Sequence, residues 1–167
     1  MIEPKKIICI FDTAIDHAAA STPDPVTQKM PLVEYSRSRD LAVISSFFIP
    51  GELPTYFTVQ PLSRAQMNGP MARCTTDQER AVQAFTWGVI AIEGMVDNNG
   101  QPVQKWAPTG VQGDRPYCTA SDMEAISPAE VQEIGSVIYQ LSFLPRKMHG
   151  KLQPPHTSLE LLDRMAR

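Results

Sequence analysis

The sequence predicts an α+β protein with a small β-rich N-terminal half carrying a hairpin, two main amphipathic helices, an extended proline-rich N-terminal arm and a short C-terminal helix. Three observations predict it. Helix-start boxes followed by apolar stripes occur at Thr76, Ser127 and Thr157. Runs rich in β-branched and aromatic residues fall at 7–11, 41–49 and 55–60. Fifteen of the 167 residues are proline, close to twice the usual share of about 5%, and each one fixes φ and lacks a donor, so regular elements must be short. The length suits one domain with arms, here divided into an arm over 1–40, an α+β core domain over 41–145 and a tail over 146–167.

Ile7-Ile8-Cys9-Ile10-Phe11 is a short apolar run bounded by Lys6 and Asp12, which predicts a buried strand or one added to another sheet. Residues 13–40 read as an extended arm that orders against a partner. Pro23, Pro25 and Pro31 deny it helix and central strand, and large apolar residues are few before Met30 and Leu32. Leu41 to Ile49 is the second strand and Thr55 to Gln60 the third, with Pro50-Gly51 turning between them as a hairpin. Thr76-Asp77-Gln78-Glu79 is a capping box, with Thr76 accepting from the third helical amide and Glu79 reaching back to the Thr76 amide. Val82, Phe85, Val89 and Ile92 then predict a helix of about sixteen residues. Asn99-Gly100 supplies a tight turn between Met95-Val96 and Val103–Trp106, and Thr109 to Tyr117 reads as loop. Ser127-Pro128-Ala129-Glu130 opens the second main helix, striped by Val131, Ile134, Ile138 and Leu141. Thr157-Ser158-Leu159-Glu160 opens the last, with Leu161, Leu162 and Met165 on its apolar side.

Composition bounds the function. Hydrophobic residues make up 43% and charged residues 20%, with 18 acids against 15 bases. A disordered chain is excluded by that apolar share, and a dedicated nucleic-acid binder is disfavoured by the lack of a basic excess. Cys9, Cys74 and Cys118 are odd in number and widely spaced, which predicts reduced thiols rather than a disulfide framework or a zinc ribbon. The apolar run near the start, five residues long, is shorter than a secretory leader's core or a membrane span, so no membrane association is expected.

Three groupings bear on chemistry. Asp12, Asp16 and His17 pair two carboxylates with an imidazole, as a divalent metal site would. Asp ending a strand and His in a loop are ordinary, and no metal is expected there. Cys118 with His149 or His156 would make a thiolate pair, but no spacing ties them together. Gly110-Val111-Gln112-Gly113 lacks the third glycine of a dinucleotide loop. No catalytic residue, metal or cofactor is therefore expected. The residues chosen for partner binding are Ile8, Ile10 and Phe11 on the first strand, for pairing to a foreign sheet edge, and the aromatic anchors Trp87 and Trp106. Trp87 falls off the stripe that Phe85 marks.

Thr55-Tyr56-Phe57-Thr58-Val59-Gln60-Pro61-Leu62 follows Pro50-Gly51-Glu52. Next come a helix ending in Ile92-Glu93-Gly94-Met95-Val96-Asp97-Asn98-Asn99-Gly100-Gln101-Pro102-Val103 and then Pro128-Ala129-Glu130-Val131-Gln132-Glu133-Ile134-Gly135 leading into Ile138-Tyr139-Gln140-Leu141-Ser142. This order of strand, helix, Asn-Gly turn and helix, over about residues 45–145, resembles small tailed-bacteriophage proteins of the structural and tail-assembly-chaperone kind. The resemblance implies a non-enzymatic virion structural protein that binds other phage head, neck or tail proteins in multiple copies, located in the virion and, during assembly, in the host cytoplasm. It brings no catalytic residues. A tail assembly chaperone absent from the finished particle is the alternative within that class; a small metal-dependent hydrolase using Asp12, Asp16 and His17 is the alternative outside it.

Overall fold

β2 (Tyr56–Val59) lies at the centre of a three-stranded antiparallel sheet, between β1 (Lys5–Ile7) and β3 (Val89–Glu93). The computed structural model describes residues 4–96, 99–103 and 105–143. Ile7 stands opposite Phe57 and Phe57 opposite Ile92, with a bulge between Thr58 and Val59. Burial alternates along β2, with Phe57 and Val59 inward, as a sheet with one covered face requires. That cover is α5 (Asp77–Gly88) and α7 (Pro128–Phe143). Phe85 meets Phe57 edge to face at 6.2 Å between ring centroids. A Cβ at Gly135 would collide with the Ala81 backbone carbonyl, so α5 and α7 touch closely only because position 135 is glycine.

Shorter elements surround this core: α1 (His17–Ala20), α2 (Pro31–Ser38), α3 (Leu41–Ile44), α4 (Arg64–Asn68) and α6 (Ala120–Met123), with a second sheet made of β4 (Gly110–Gln112) and β5 (Arg115–Tyr117). The architecture is mixed α+β, as the sequence predicts. Among the described residues no helix is long and apolar enough to cross a membrane.

Thr76 caps α5 as expected, its hydroxyl accepting from the Glu79 amide at 3.1 Å. The Glu79 carboxylate bonds one residue further back than expected, to the Thr75 amide at 2.9 Å. Ser127 and Glu130 close their box in both directions. Across the Asn-Gly turn, Val103 donates to the Met95 carbonyl at 2.8 Å and Gly100 has φ +78°. The box at Thr157 lies outside the described residues.

Five expectations are corrected. Leu41–Ile49 is not a strand, because the Asp40 carboxylate accepts from the Ala42 amide at 3.0 Å and starts helix α3 there; a 3-10 turn over Ser45–Phe47 follows. A cap thus outweighs the β-branched Val43 and Ile44. The expected 41–60 hairpin is accordingly absent, and β2 pairs with β1 and β3 instead. Helix α5 stops at Gly88 rather than near Ile92, since the run Val89-Ile90-Ala91-Ile92, β-branched at three of its four positions, finds β2 as a partner. Residues 110–117 form the β4–β5 hairpin, turned by Gly113 at φ +64°.

The fifth correction concerns the arm. Residues 13–40 fold back on their own chain through α1 and α2, and Met30, Leu32, Val33 and Tyr35 pack with Ile8, Ile15 and Ile44 in a second apolar cluster. Apolar side chains are sparse along this stretch, but flanking segments supply the rest of the burial. Tyr35 fixes the fold-back: its hydroxyl accepts from the Ile8 amide at 2.8 Å and donates to the Ile8 carbonyl at 3.0 Å. Arg39 ends α2 in the left-handed region, φ +52°, and its fully buried guanidinium pairs with Glu133 on α7. Burial alone would lower the Arg39 pKa; the Glu133 carboxylate outweighs it and the net direction is upward, so the guanidinium keeps its charge in the core.

Candidate functional site

Three backbone turns converge beside the N-terminus of α7 to form a cleft of about 440 Å³. The turn after β1 contributes Phe11, the connection before β2 contributes Leu53, and the end of β3 contributes Val96. These three form an apolar rim and are 41%, 84% and 52% exposed, while Cys9, Phe57, Met95 and Ile126 close the floor and are buried. The walls are tied together. Asp12 accepts from its near neighbour Ala14 N at 2.8 Å and, across the cleft, from Thr55 N at 2.9 Å. Gly94 has φ +78° and lies so close to the Pro54 carbonyl that a Cβ would approach it to 2.5 Å, so this wall admits only glycine. Glu130 stands at the far side, held by Ser127. A broader hollow of about 700 Å³ flanks the start of α5 between Arg73, Cys74 and Glu79, but among the described residues no large exposed apolar side chain borders it.

The expected partner-binding residues are not brought together. Ile8 is fully buried in the second cluster, and Ile10 is half-buried against it. Trp87 is buried too, with its ring 5.0 Å from that of Tyr117. It lies off the Phe85 stripe because α5 is covered on a second side by the β4–β5 hairpin. Trp106 is half-buried, and its indole N–H donates to the Asp122 carbonyl at 3.0 Å. Phe11 alone of the five borders the cleft. Leu53 and Val96 escaped the sequence reading. Their signal was a large apolar residue at a turn, alone within Gly51-Glu52-Leu53-Pro54 in one case and next to Met95 just before Asp97–Gly100 in the other.

The groupings considered for chemistry are engaged in local structure. Asp12 bridges turns as described, Asp16 caps α1 through the Ala19 amide, and the His17 ring bonds the Ile10 carbonyl at 2.8 Å. Among the described residues no three His, Cys, Asp or Glu side chains stand together as a metal would need. The Cys118 thiol is buried, and burial, followed by the charge of Asp122, pushes its pKa up to about 12; such a thiol stays protonated at neutral pH and is a poor nucleophile. His149 and His156 lie outside the described residues. Gly110 faces the Tyr117 ring in the hairpin, where a Cβ would come within 2.6 Å of it, and has no phosphate-loop geometry around it. What the cleft offers is an apolar rim and a carboxylate-bearing wall, suited to gripping a side chain of another polypeptide. No protein-family model, no curated protein and no solved structure matches the chain.

Proposed function

We propose that this chain is a non-enzymatic structural protein of a tailed-bacteriophage particle that binds other head, neck or tail proteins during assembly. The observation carrying the binding half is the exposed trio Phe11, Leu53 and Val96 around one cleft, since apolar side chains gathered on a surface mark contact sites more often than singly scattered ones do. The phage half rests on the resemblance over residues 45–145. The engagement of Asp12, Asp16 and His17 with backbone groups favours binding over metal-dependent hydrolysis.

Mass spectrometry of purified particles, set against the lysate of infected cells, tests the reading. Expected is this chain in the particle at a fixed copy number, falling when Leu53 is replaced by Asp. Presence in the lysate but absence from particles overturns it in favour of the assembly chaperone. Divalent metal bound to the purified protein and lost on Asp12→Asn with His17→Ala favours the hydrolase.

A further inference from the structure

We propose that the Phe11–Leu53–Val96 cleft is the docking site of the chain's own C-terminal segment, residues 144–167. Charge complementarity is the first support. Among the described residues the cleft is lined by the carboxylates of Asp12, Glu52 and Glu130 and by no Lys, Arg or His. Residues 144–167 carry five bases, Arg146, Lys147, Lys151, Arg164 and Arg167, against the two acids Glu160 and Asp163. The remainder, residues 1–143, holds ten bases against sixteen acids. One segment of a mildly acidic protein thus concentrates positive charge, and an acidic apolar cleft stands on the rest.

The apolar chemistry matches as well. Leu159, Leu161, Leu162 and Met165 stand beside Arg164 and Arg167 in the sequence, the combination of aliphatic anchors and cations that an apolar rim with carboxylates accepts. The hollow by α5 lacks this match, because Arg73 and Glu79 on its wall offset one another. Reach is sufficient. Glu130 borders the cleft near one end of α7 and Phe143 closes the other, a separation of about 20 Å at 1.5 Å per residue. The fifteen residues between Phe143 and Leu159 span up to about 50 Å when extended. The inference concerns the free chain, so absence of the protein from virions leaves it untouched.

Amide hydrogen exchange on the full-length protein, read by mass spectrometry at low and high protein concentration, tests it with two reciprocal variants. Leu53→Asp alters a side chain that is 84% exposed, and protection across Ile134–Leu141 reports that the fold is intact. Expected is exchange through 144–167 faster by about tenfold in Leu53→Asp than in the parent, the loss of roughly one docked aliphatic contact. Leu161→Asp with Leu162→Asp is expected to speed exchange at 9–13, 52–55 and 94–96. Equal exchange of 144–167 in parent and Leu53→Asp overturns the proposal. So does a tail variant that leaves the cleft amides unchanged, and so does protection that grows with protein concentration, which assigns the cleft to a second copy.

Discussion

The chain holds two apolar clusters that are secured in different ways. The larger lies between the three-stranded sheet and the α5–α7 pair, where ladders, helix stripes and close backbone contact at Gly135 repeat the same kind of interaction many times. The smaller gathers residues from Ile8 to Tyr56 around three short helices and a 3-10 turn, and much of its shape depends on single side chains. Tyr35 clasps both backbone groups of Ile8, Asp12 spans to Thr55, and Arg39 reaches across to Glu133. Redundant interactions degrade gradually when one is removed, whereas singular ones fail at once. The Arg39–Glu133 pair is the hinge of this contrast, because it is buried at the junction of both clusters.

Glu133→Leu is the sharpest way to break it. The substitution leaves the Arg39 guanidinium buried without its carboxylate, and the expected loss is about 3–5 kcal/mol in urea unfolding. Combining it with Arg39→Met removes the orphaned charge and is expected to recover most of that loss; no recovery would mean that the pair is not what joins the clusters. Gly135→Ala attacks the larger cluster at its closest backbone approach and is expected to cost about 3 kcal/mol, read from the denaturant midpoint. Tyr35→Phe keeps the ring and deletes both bonds to Ile8, costing about 2 kcal/mol. Exchange should then quicken through 8–40 before it does in α5 and α7, and a uniform change across the chain would show that the two clusters unfold as one.

The smallest effect is one of pH, and it bears on the edge of the larger cluster. The Asp122 carboxylate accepts hydrogen bonds from the Thr109 and Thr119 amides and from the Thr109 hydroxyl, at 2.8–2.9 Å. Burial by itself would raise its pKa; the Thr109 and Thr119 amides, aided by their hydroxyls, outweigh it and hold the pKa below the ordinary 3.8. A carboxyl depressed in the folded state stabilises above its unfolded pKa, and that contribution disappears as pH falls through the lower folded value. Asp122→Asn is therefore expected to flatten the acid limb of stability below about pH 4, with little change near neutrality; an unaltered acid limb refutes this role.

Legibility in the sequence follows the same division. The starts of α5 and α7 and the position of β2 could be read because a box or a periodic stripe lies within a dozen neighbouring residues. Two further boxes of identical spacing, Ser63 with Gln66 and Thr119 with Asp122, passed unnoticed because their helices are one turn long and no stripe follows. The fold-back of 13–40 was illegible since its causes, Tyr35 to Ile8 and Arg39 to Glu133, join positions 27 and 94 residues apart. Phe11 was found from its place at the end of an apolar run. Leu53 and Val96 were not, because only the convergence of three turns makes them neighbours.

Helix α5 passes into β3 without an intervening loop, Val89 serving both as the residue that ends one and as the first of the other. A residue inserted into α5 would turn everything after it by about 100°, and a strand displaced by one position presents its opposite face to the core. Chain length between Asp77 and Glu93 is consequently fixed by geometry, with no slack to absorb an insertion or deletion. The stretch from Thr22 to Lys29 is its opposite, exposed at every residue and closed on itself by Asp24, which bonds Val26, Thr27 and Lys29. As descendants of this sequence diverge, gains and losses of residues will collect at 22–29 and be purged from 77–93, and a tag or a foreign epitope placed in the first of these will be carried without cost to the fold.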